Sequence, residues 1–134
     1  MSSERIIDDD NSIIYFNEYN QIHREDGPAI IYPDGTEYWF KNGEMHREDG
    51  PAAIWSDGAE YWYKNGEIHR DDGPAIIWSN GGKGWYKNEQ LHREDGPAVI
   101  YPNGRKEWWL NHVQYSFSEW IEALDKSDEE KMEL

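Results

Sequence analysis

The chain of 134 residues contains no cysteine. This absence excludes disulfide bonds, thiolate nucleophiles and cysteine-based zinc or iron–sulfur sites, and it is typical of a reducing compartment. No apolar run approaches 18 residues, and no basic-then-apolar leader is present. We therefore expect neither a transmembrane helix nor a secretion signal. These absences predict a soluble cytoplasmic protein, and the length predicts one domain.

Basic residues are also scarce, with 13 Lys and Arg against 28 Asp and Glu and a net charge of −15. Direct binding of nucleic acid needs a basic surface that meets the phosphates, so the composition disfavours it. A mean hydropathy of −1.06 is close to that of disordered chains. Eight Trp, nine Tyr and three Phe nevertheless supply enough apolar surface for a core. The composition favours a folded acidic protein.

The sequence is instead rich in one repeat of 23 residues. It occurs four times in succession, beginning at His23, His46, His69 and His92. Each copy opens with His-Arg-acid-Asp-Gly-Pro and continues through a short apolar run, a turn such as PDG or SNG, and an aromatic segment such as EYWF. Lys-Asn-Gly or a variant then leads to the next copy. Short apolar and aromatic runs between turn signals predict two antiparallel strands per copy. We predict an all-β fold, an elongated antiparallel meander of β-hairpin repeats over residues 23–115.

Residues that recur in every copy indicate packing, because a contact needed in each layer of a stack must be supplied by each repeat. Tryptophan recurs at one offset and isoleucine at another. These residues are Trp39, Trp62, Trp85 and Trp108, and Ile31, Ile54, Ile77 and Ile100. We assign both sets to packing, with a large loss of stability expected on truncation of a fully buried Trp.

The segments that flank the repeats differ from them. Residues 1–22 are acidic, and Tyr15 and Phe16 predict a degenerate strand that caps the array. Residues 116–134 open with Ser-Phe-Ser-Glu, a capping box that predicts a helix over residues 117–124. Phe117, Trp120, Ile121 and Leu124 form one apolar stripe on this short C-terminal helix. We expect the helix to cover the last hairpin and to be followed by an acidic tail.

The string WYKNGEIHRDDGPAIIWSNGGKGWYKN resembles the MORN repeat, and residues 13–115 follow that pattern. The opening His-Arg-acid-Asp-Gly-Pro departs from the His-Gly-x-Gly of common MORN repeats. This variant is similar to uncharacterised repeat proteins of bacteriophages and large DNA viruses. The resemblance implies a hairpin meander, a role in binding or scaffolding, a viral origin with residence in the host cytoplasm, and no catalytic residue.

The third and fourth copies depart from the first two. Glu37 and Glu60 are replaced by Lys83 and Lys106 at the same offset, and Tyr38 and Tyr61 by Gly84 and Glu107. One strand edge thus changes from acidic to basic. The candidate protein-binding residues are Glu37, Glu60, Lys83, Arg105, Lys106 and Trp120.

The four His-Arg pairs suggest other chemistry. Equivalent histidines separated by two strands lie about 10 Å apart, too far to share a zinc ion with ligand distances of about 2 Å, so we expect no metal site and no cofactor. Arginine binds phosphate well, which makes Arg24, Arg47, Arg70 and Arg93 alternative candidates for a phosphate or nucleotide site.

No arrangement of Ser, His and Asp matches a known catalytic motif, so an enzyme is not expected. The favoured function is a non-catalytic acidic protein-interaction module that inhibits a basic host protein, either a nucleic-acid-binding protein or a defence protein. A small-molecule sponge for a nucleotide or phosphate and a structural scaffold are the two alternatives.

Overall fold

The computed structural model describes residues 4–132, with side chains through Lys126. Within these residues the chain forms seventeen strands and one helix. Eleven strands build one antiparallel sheet, and six form three separate two-stranded hairpins. The predicted all-β hairpin meander is confirmed. In the described part of the chain, no helix has the length and apolar character that crossing a membrane requires.

The main sheet follows chain order, with each strand hydrogen-bonded to its neighbours. Its strands are β1 (Glu4–Ile7), β2 (Ile13–Phe16), β3 (Ile30–Ile31), β4 (Glu37–Tyr38), β7 (Ala53–Ile54), β8 (Glu60–Tyr61), β11 (Ile76–Ile77), β12 (Lys83–Gly84), β15 (Val99–Ile100), β16 (Lys106–Leu110) and β17 (Val113–Tyr115). The separate hairpins are β5 (Phe40–Lys41) with β6 (Glu44–Met45), β9 (Tyr63–Lys64) with β10 (Glu67–Ile68), and β13 (Tyr86–Lys87) with β14 (Gln90–Leu91). At about 4.8 Å per strand, the main sheet is roughly 50 Å wide.

Each of the first three repeats contains two hairpins, whereas the sequence predicted one. The division falls at the recurring tryptophan: the Trp39 N–H still bonds to Ala52 O in the main sheet (2.6 Å), but Phe40 already pairs with Met45. Asn42 and Gly43 have φ of 48° and 85°, as a two-residue type I′ turn requires. This turn folds the chain back on the residues immediately after Trp39. The prediction of two strands per repeat was therefore wrong for these copies.

The fourth copy keeps the simpler arrangement. Strand β16 runs without interruption through Trp108 and pairs with β17, with Trp108 opposite Tyr115. Here Asn111 and His112 occupy the turn with φ of 48° and 68°. The second hairpin of this copy therefore stays within the main sheet.

The buried core of the sheet is built from small residues. Ala29, Ala52, Ala75 and Ala98 are completely buried, and Ile30, Ile76 and Val99 are nearly so. The recurring tryptophans are only partly buried, including Trp39 and Trp62. These tryptophans therefore pack at the surface of the array and not in its buried core.

Both ends of the array contain more structure than the sequence indicated. Strand β1 was not predicted; it pairs with β2 through Arg5 opposite Tyr15 and becomes the edge of the sheet. The helix α1 (Phe117–Met132) begins at the predicted residue and continues beyond the predicted end. Its capping box is formed: the Ser116 N–H bonds to Glu119 Oε1 (2.9 Å), and the Glu119 N–H bonds to Ser116 Oγ (3.3 Å).

The helix covers the last repeat on one side. Phe117 packs against Trp108 with ring centroids 5.2 Å apart, and Trp120 is 7% exposed. Phe117 and Ile121 remain 53% and 40% exposed. The predicted apolar stripe is therefore only partly used in packing against the array.

Candidate protein-binding surface of the repeat loops

Each His-Arg-acid-Asp-Gly-Pro loop is held by its arginine, which folds back over an aromatic ring. The Arg47 guanidinium lies 3.9 Å from the Trp39 ring centroid, and the same stack joins Arg70 to Trp62 (4.0 Å) and Arg93 to Trp85 (3.8 Å). In the first loop, Arg24 stacks on Tyr15 at 4.1 Å. A guanidinium over an aromatic face gains cation–π attraction. This contact explains the recurrence of tryptophan at positions 39, 62 and 85, whereas Trp108 packs against Phe117 instead.

The same guanidinium also donates hydrogen bonds to two other residues of its loop. Arg47 Nε donates to Asp49 Oδ1 and Nη1 to Pro51 O, both at 3.1 Å. A Cβ on Gly50 would lie 2.9 Å from Arg47 Cζ, so the loop requires glycine where the guanidinium passes. The Gly-Pro pair thus contributes directly to holding the arginine.

The histidine joins the loop to the following hairpin. His46 Nδ1 accepts the Asn65 N–H (3.0 Å), and Nε2 lies 2.7 Å from Glu48 Oε1. Because Nδ1 is an acceptor, the neutral ring carries its proton on Nε2 and donates it to the glutamate. In all four loops the His Nδ1 accepts a backbone N–H, and the Arg pairs with an aspartate of its own loop. Among the side chains that the structure describes, no three His, Asp or Glu residues are placed to hold a metal ion.

The two acids of each loop point outward, and together they form what we call the acidic ridge. Their side chains are 59–87% exposed although each lies beside an Arg or His. The ridge consists of Glu25, Asp26, Glu48, Asp49, Asp71, Asp72, Glu94 and Asp95. Successive loops are two strands apart, which spaces the acid pairs at about 10 Å. The ridge is a regular row of exposed carboxylates.

Local hydrogen bonds favour the charged form of two ridge carboxylates, Glu48 and Asp72. The bond from His46 is the main cause that lowers the pKa of Glu48, and the bond from Arg70 is the main cause that lowers the pKa of Asp72. Hydrogen bonding to a carboxylate stabilises its ionised form. The two groups therefore remain negative at neutral pH.

Three similar clefts lie between neighbouring loops, with volumes of about 400 to 620 Å³. Each contains a tryptophan, two loop arginines and one lysine of the adjacent small hairpin, besides the ridge acids. The tryptophan–lysine pairs are Trp39 with Lys41, Trp62 with Lys64, and Trp85 with Lys87. The clefts thus repeat along the array with the ridge.

The alternative phosphate-binding residues occupy these loops but are already engaged. Arg24, Arg47, Arg70 and Arg93 have side chains only 21–24% exposed, and each bonds an aspartate and a proline carbonyl. A phosphate approaching one of them would meet the outward carboxylates. This arrangement is unfavourable for an anionic ligand.

The structure brings four of the other candidates into a single row on one face of the main sheet. Glu37 lies opposite Ile31 and Ile54, and the alternation of isoleucine and charge continues across the sheet. The remaining members are Glu60, Ile77, Lys83, Ile100 and Lys106. The two glutamates are partly buried and the two lysines exposed. This row is separate from the acidic ridge.

Arg105 and Trp120 do not join that row. Arg105 lies 4.0 Å above the Tyr101 ring and 3.7 Å from Glu107. Trp120 is buried, and its indole N–H donates to Arg93 O (3.1 Å). Its position gives Trp120 a packing role in joining α1 to the fourth loop.

The ridge acids were absent from the candidate residues predicted from the sequence. Their signal was nevertheless present: an acidic pair precedes Gly-Pro in all four copies. Asp49 does build its loop through Arg47, but it is 86% exposed. One residue can therefore serve the turn and still present its charge to solvent.

The fold and the loops define a β-hairpin repeat protein with a unit of 23 residues. Comparisons with models of known families, with curated proteins and with solved structures gave no match.

Proposed function

We propose that this chain is a non-catalytic binding protein of the MORN-like kind, whose acidic ridge docks onto a basic surface of another protein. The observation that carries the proposal is the row of eight exposed carboxylates, held in four equivalent loops. Opposite charge accelerates encounter and aligns the two surfaces.

The way the loops are built supports this role. The second acid of each loop is oriented by the loop arginine, as Asp72 is by Arg70 Nε at 2.9 Å, and the arginine is held by its stack. A partner therefore meets carboxylates that need little further ordering, which lowers the entropic cost of binding. Four loops at regular spacing allow several weak ion pairs to form together.

The finer proposal concerns the partner. A basic nucleic-acid-binding or defence protein of a host has the positive surface that the ridge complements, and occupation of that surface would inhibit it. In this proposal the chain is viral and acts in the host cytoplasm. The identity of the captured partner tests these points.

The test compares two variants of equal net charge. Asp26, Asp49, Asp72 and Asp95 are changed together to Asn, because the amide oxygen can still accept the arginine Nε–H while the charge is lost. The control changes Glu18, Glu44, Glu67 and Glu122 to Gln, four exposed acids outside the ridge. Melting curves of both variants establish that the fold is retained.

Each immobilised protein is exposed to a cell extract over about 50 to 500 mM salt, a range that shortens the screening length severalfold. Bound proteins are quantified by mass spectrometry, and the most enriched one is purified and titrated. We expect a basic protein whose affinity falls with salt, and falls about tenfold or more with the ridge variant but little with the control. Equal loss in both variants, or binding that is insensitive to salt, would contradict a docking role of the ridge.

A further inference from the structure

A row of alternating charged and isoleucine side chains crosses seven consecutive strands of the main sheet, and we call it the charged row. Each member lies directly opposite the next one across a strand pair, so all of them point to the same face. In sheet order the members are Glu37, Ile54, Glu60, Ile77, Lys83, Ile100 and Lys106. With six steps of about 4.8 Å between strands, the row is about 29 Å long.

The charged row is accessible to another molecule. The strand neighbours of its members point to the other face of the sheet, where Ala53, Ile76 and Val99 are buried. In the row itself the two lysines are exposed, and the two glutamates and three isoleucines are partly exposed. Charged and apolar surface is thus available along the whole length of the row.

The charges of the row are not used within the fold. None of the ion pairs among the side chains that the structure describes involves Glu37, Glu60, Lys83 or Lys106. The nearest opposite charges along the row, Glu60 and Lys83, are two strands apart, which is about 10 Å. An ion pair requires N and O atoms within about 4 Å of each other. The row therefore presents four charges that a second molecule can pair.

The order of these charges is antisymmetric about Ile77. When the row is reversed, every glutamate takes the place of a lysine, and every isoleucine takes the place of an isoleucine. A two-fold axis that lies between two copies, parallel to their strands, and crosses the row at Ile77 produces this reversal. It sets Glu37 opposite Lys106 of the second copy, Glu60 opposite Lys83, Ile54 opposite Ile100, and Ile77 opposite its own equivalent. A two-fold interface must be self-complementary, and the charged row meets this condition.

We propose that two copies of this chain associate face to face through the charged row. The paired isoleucines bury apolar surface, and the Glu–Lys pairs fix the orientation. A second copy placed without the reversal would set glutamate on glutamate and lysine on lysine, which is repulsive. The two glutamates and two lysines also cancel in charge, so the copies meet through a neutral strip although each chain carries −15.

The size of the row predicts a weak dimer. A strip about 29 Å long and one residue wide is smaller than the about 800 Å² per partner of a standard interface, and the net charge of both copies opposes their approach. We expect a Kd on the order of 100 µM at about 150 mM salt, where repulsion is screened beyond about 8 Å. The dimer does not depend on the proposed function, because the row is separate from the acidic ridge.

Charge reversal tests this arrangement, and the strand position accepts either charge, since Glu37 and Lys83 occupy the same offset in their copies. Lys83→Glu with Lys106→Glu makes the row wholly acidic, and Glu37→Lys with Glu60→Lys makes it wholly basic. We expect each variant alone to dimerise about tenfold or more weakly than the wild type, and an equimolar mixture of the two to form a heterodimer. The quadruple variant with all four changes has the reversed order and should dimerise like the wild type.

Net charge cannot produce this pattern. Each reversal changes the charge by two, so the acidic variant carries −19, the basic variant −11 and the quadruple variant the original −15. Self-association is measured by sedimentation velocity over about 10 to 500 µM protein, because a weak dimer is populated only near its Kd. Thermal melts establish that each variant is folded.

The wild-type protein supplies a test that needs no variant. A carbodiimide joins a carboxylate directly to an amine, and in the proposed dimer it should link Glu37 to Lys106. Within one chain these two residues are about 29 Å apart, so this link forms only between copies. Mass spectrometry of peptides from the covalent dimer identifies the link.

Three results would overturn the proposal. The first is a wild-type protein that remains monomeric up to about 500 µM. The second is undiminished dimerisation of the folded acidic or basic variant, or failure of the folded quadruple variant to dimerise, because either would show that the order of the charges does not matter. The third is a covalent dimer without the link between Glu37 and Lys106, which would place the contact elsewhere.

Discussion

The stack of arginine on tryptophan is the contact through which one repeat holds the loop of the next, and Trp62→Ala tests its energetic weight. The Trp62 ring is partly exposed and carries Arg70 at 4.0 Å. Removal of a fully buried Trp costs about 3–5 kcal/mol. Because this ring is half-buried, we expect a loss of about 2–3 kcal/mol in the free energy of unfolding, of which about 0.5–1 kcal/mol is cation–π attraction.

A double-mutant cycle separates the stack from the burial. Arg70→Met retains the apolar stem but loses the charge and the bonds to Asp72 and Pro74 O. The coupling between the two substitutions should be about 1 kcal/mol, measured by urea unfolding followed by circular dichroism. Trp39→Ala with Arg47→Met is the matched cycle one repeat earlier and should give a similar coupling.

Two outcomes would refute this reasoning. A loss near zero for Trp62→Ala would show that the ring contributes no packing. A loss as large as that of a fully buried ring, without coupling to Arg70, would place its energy in contacts other than the stack.

His69→Phe should lower the free energy of unfolding by about 0.5–1.5 kcal/mol, because the exposed Asn88 N–H loses its acceptor; an unchanged urea midpoint would contradict this. Deletion of residues 116–134 uncovers Trp108 and should lower the melting temperature and promote self-association in size-exclusion chromatography; a monomer with unchanged melting would remove the lid role of the helix. Acid should destabilise the protein below about pH 4, partly because the bond from the Thr36 N–H lowers the pKa of Asp34 in the folded state. Because the pKa of Asp34 is lower in the folded state, its carboxylate stabilises the fold above pH 3.8, the ordinary pKa, and this contribution is lost as the pH falls. Asp34→Asn should therefore reduce the acid sensitivity seen in melts from about pH 5 to 2, and other carboxylates contribute the remainder. An identical pH profile for the variant and the wild type would contradict this expectation.

Much of the fold was predictable because its signals are local. The period from His23 to His46 gives the repeat, and turn residues such as Asn42 and Gly43, both with positive φ, favour hairpins without any distant contact. The capping box at Ser116 predicted the first residue of the helix for the same reason. The bonds that define it join residues three apart.

The candidate site was less predictable, because its features depend on contacts between repeats. Arg47 and Trp39 are in neighbouring copies, and no local rule places a guanidinium on that ring. Without that stack, the acids beside Arg47 could be interpreted as turn residues alone. The partial burial of Trp39, Trp62 and Trp85 depends on the same stack with arginine. The recurrence of tryptophan in the sequence therefore indicated a packing role but not how far each ring is exposed.

The amino-acid sequence by itself determined the repeat unit, the antiparallel hairpins and the start of the helix, since these follow from turn chemistry and from spacing along the chain. Only the tertiary structure decided that the chain leaves the main sheet at Trp39 and which carboxylates face solvent. Each of these depends on side chains from different repeats meeting in space. The physical reason is that stacking sets the distance between copies, whereas the sequence of one copy records only its own turns and strands.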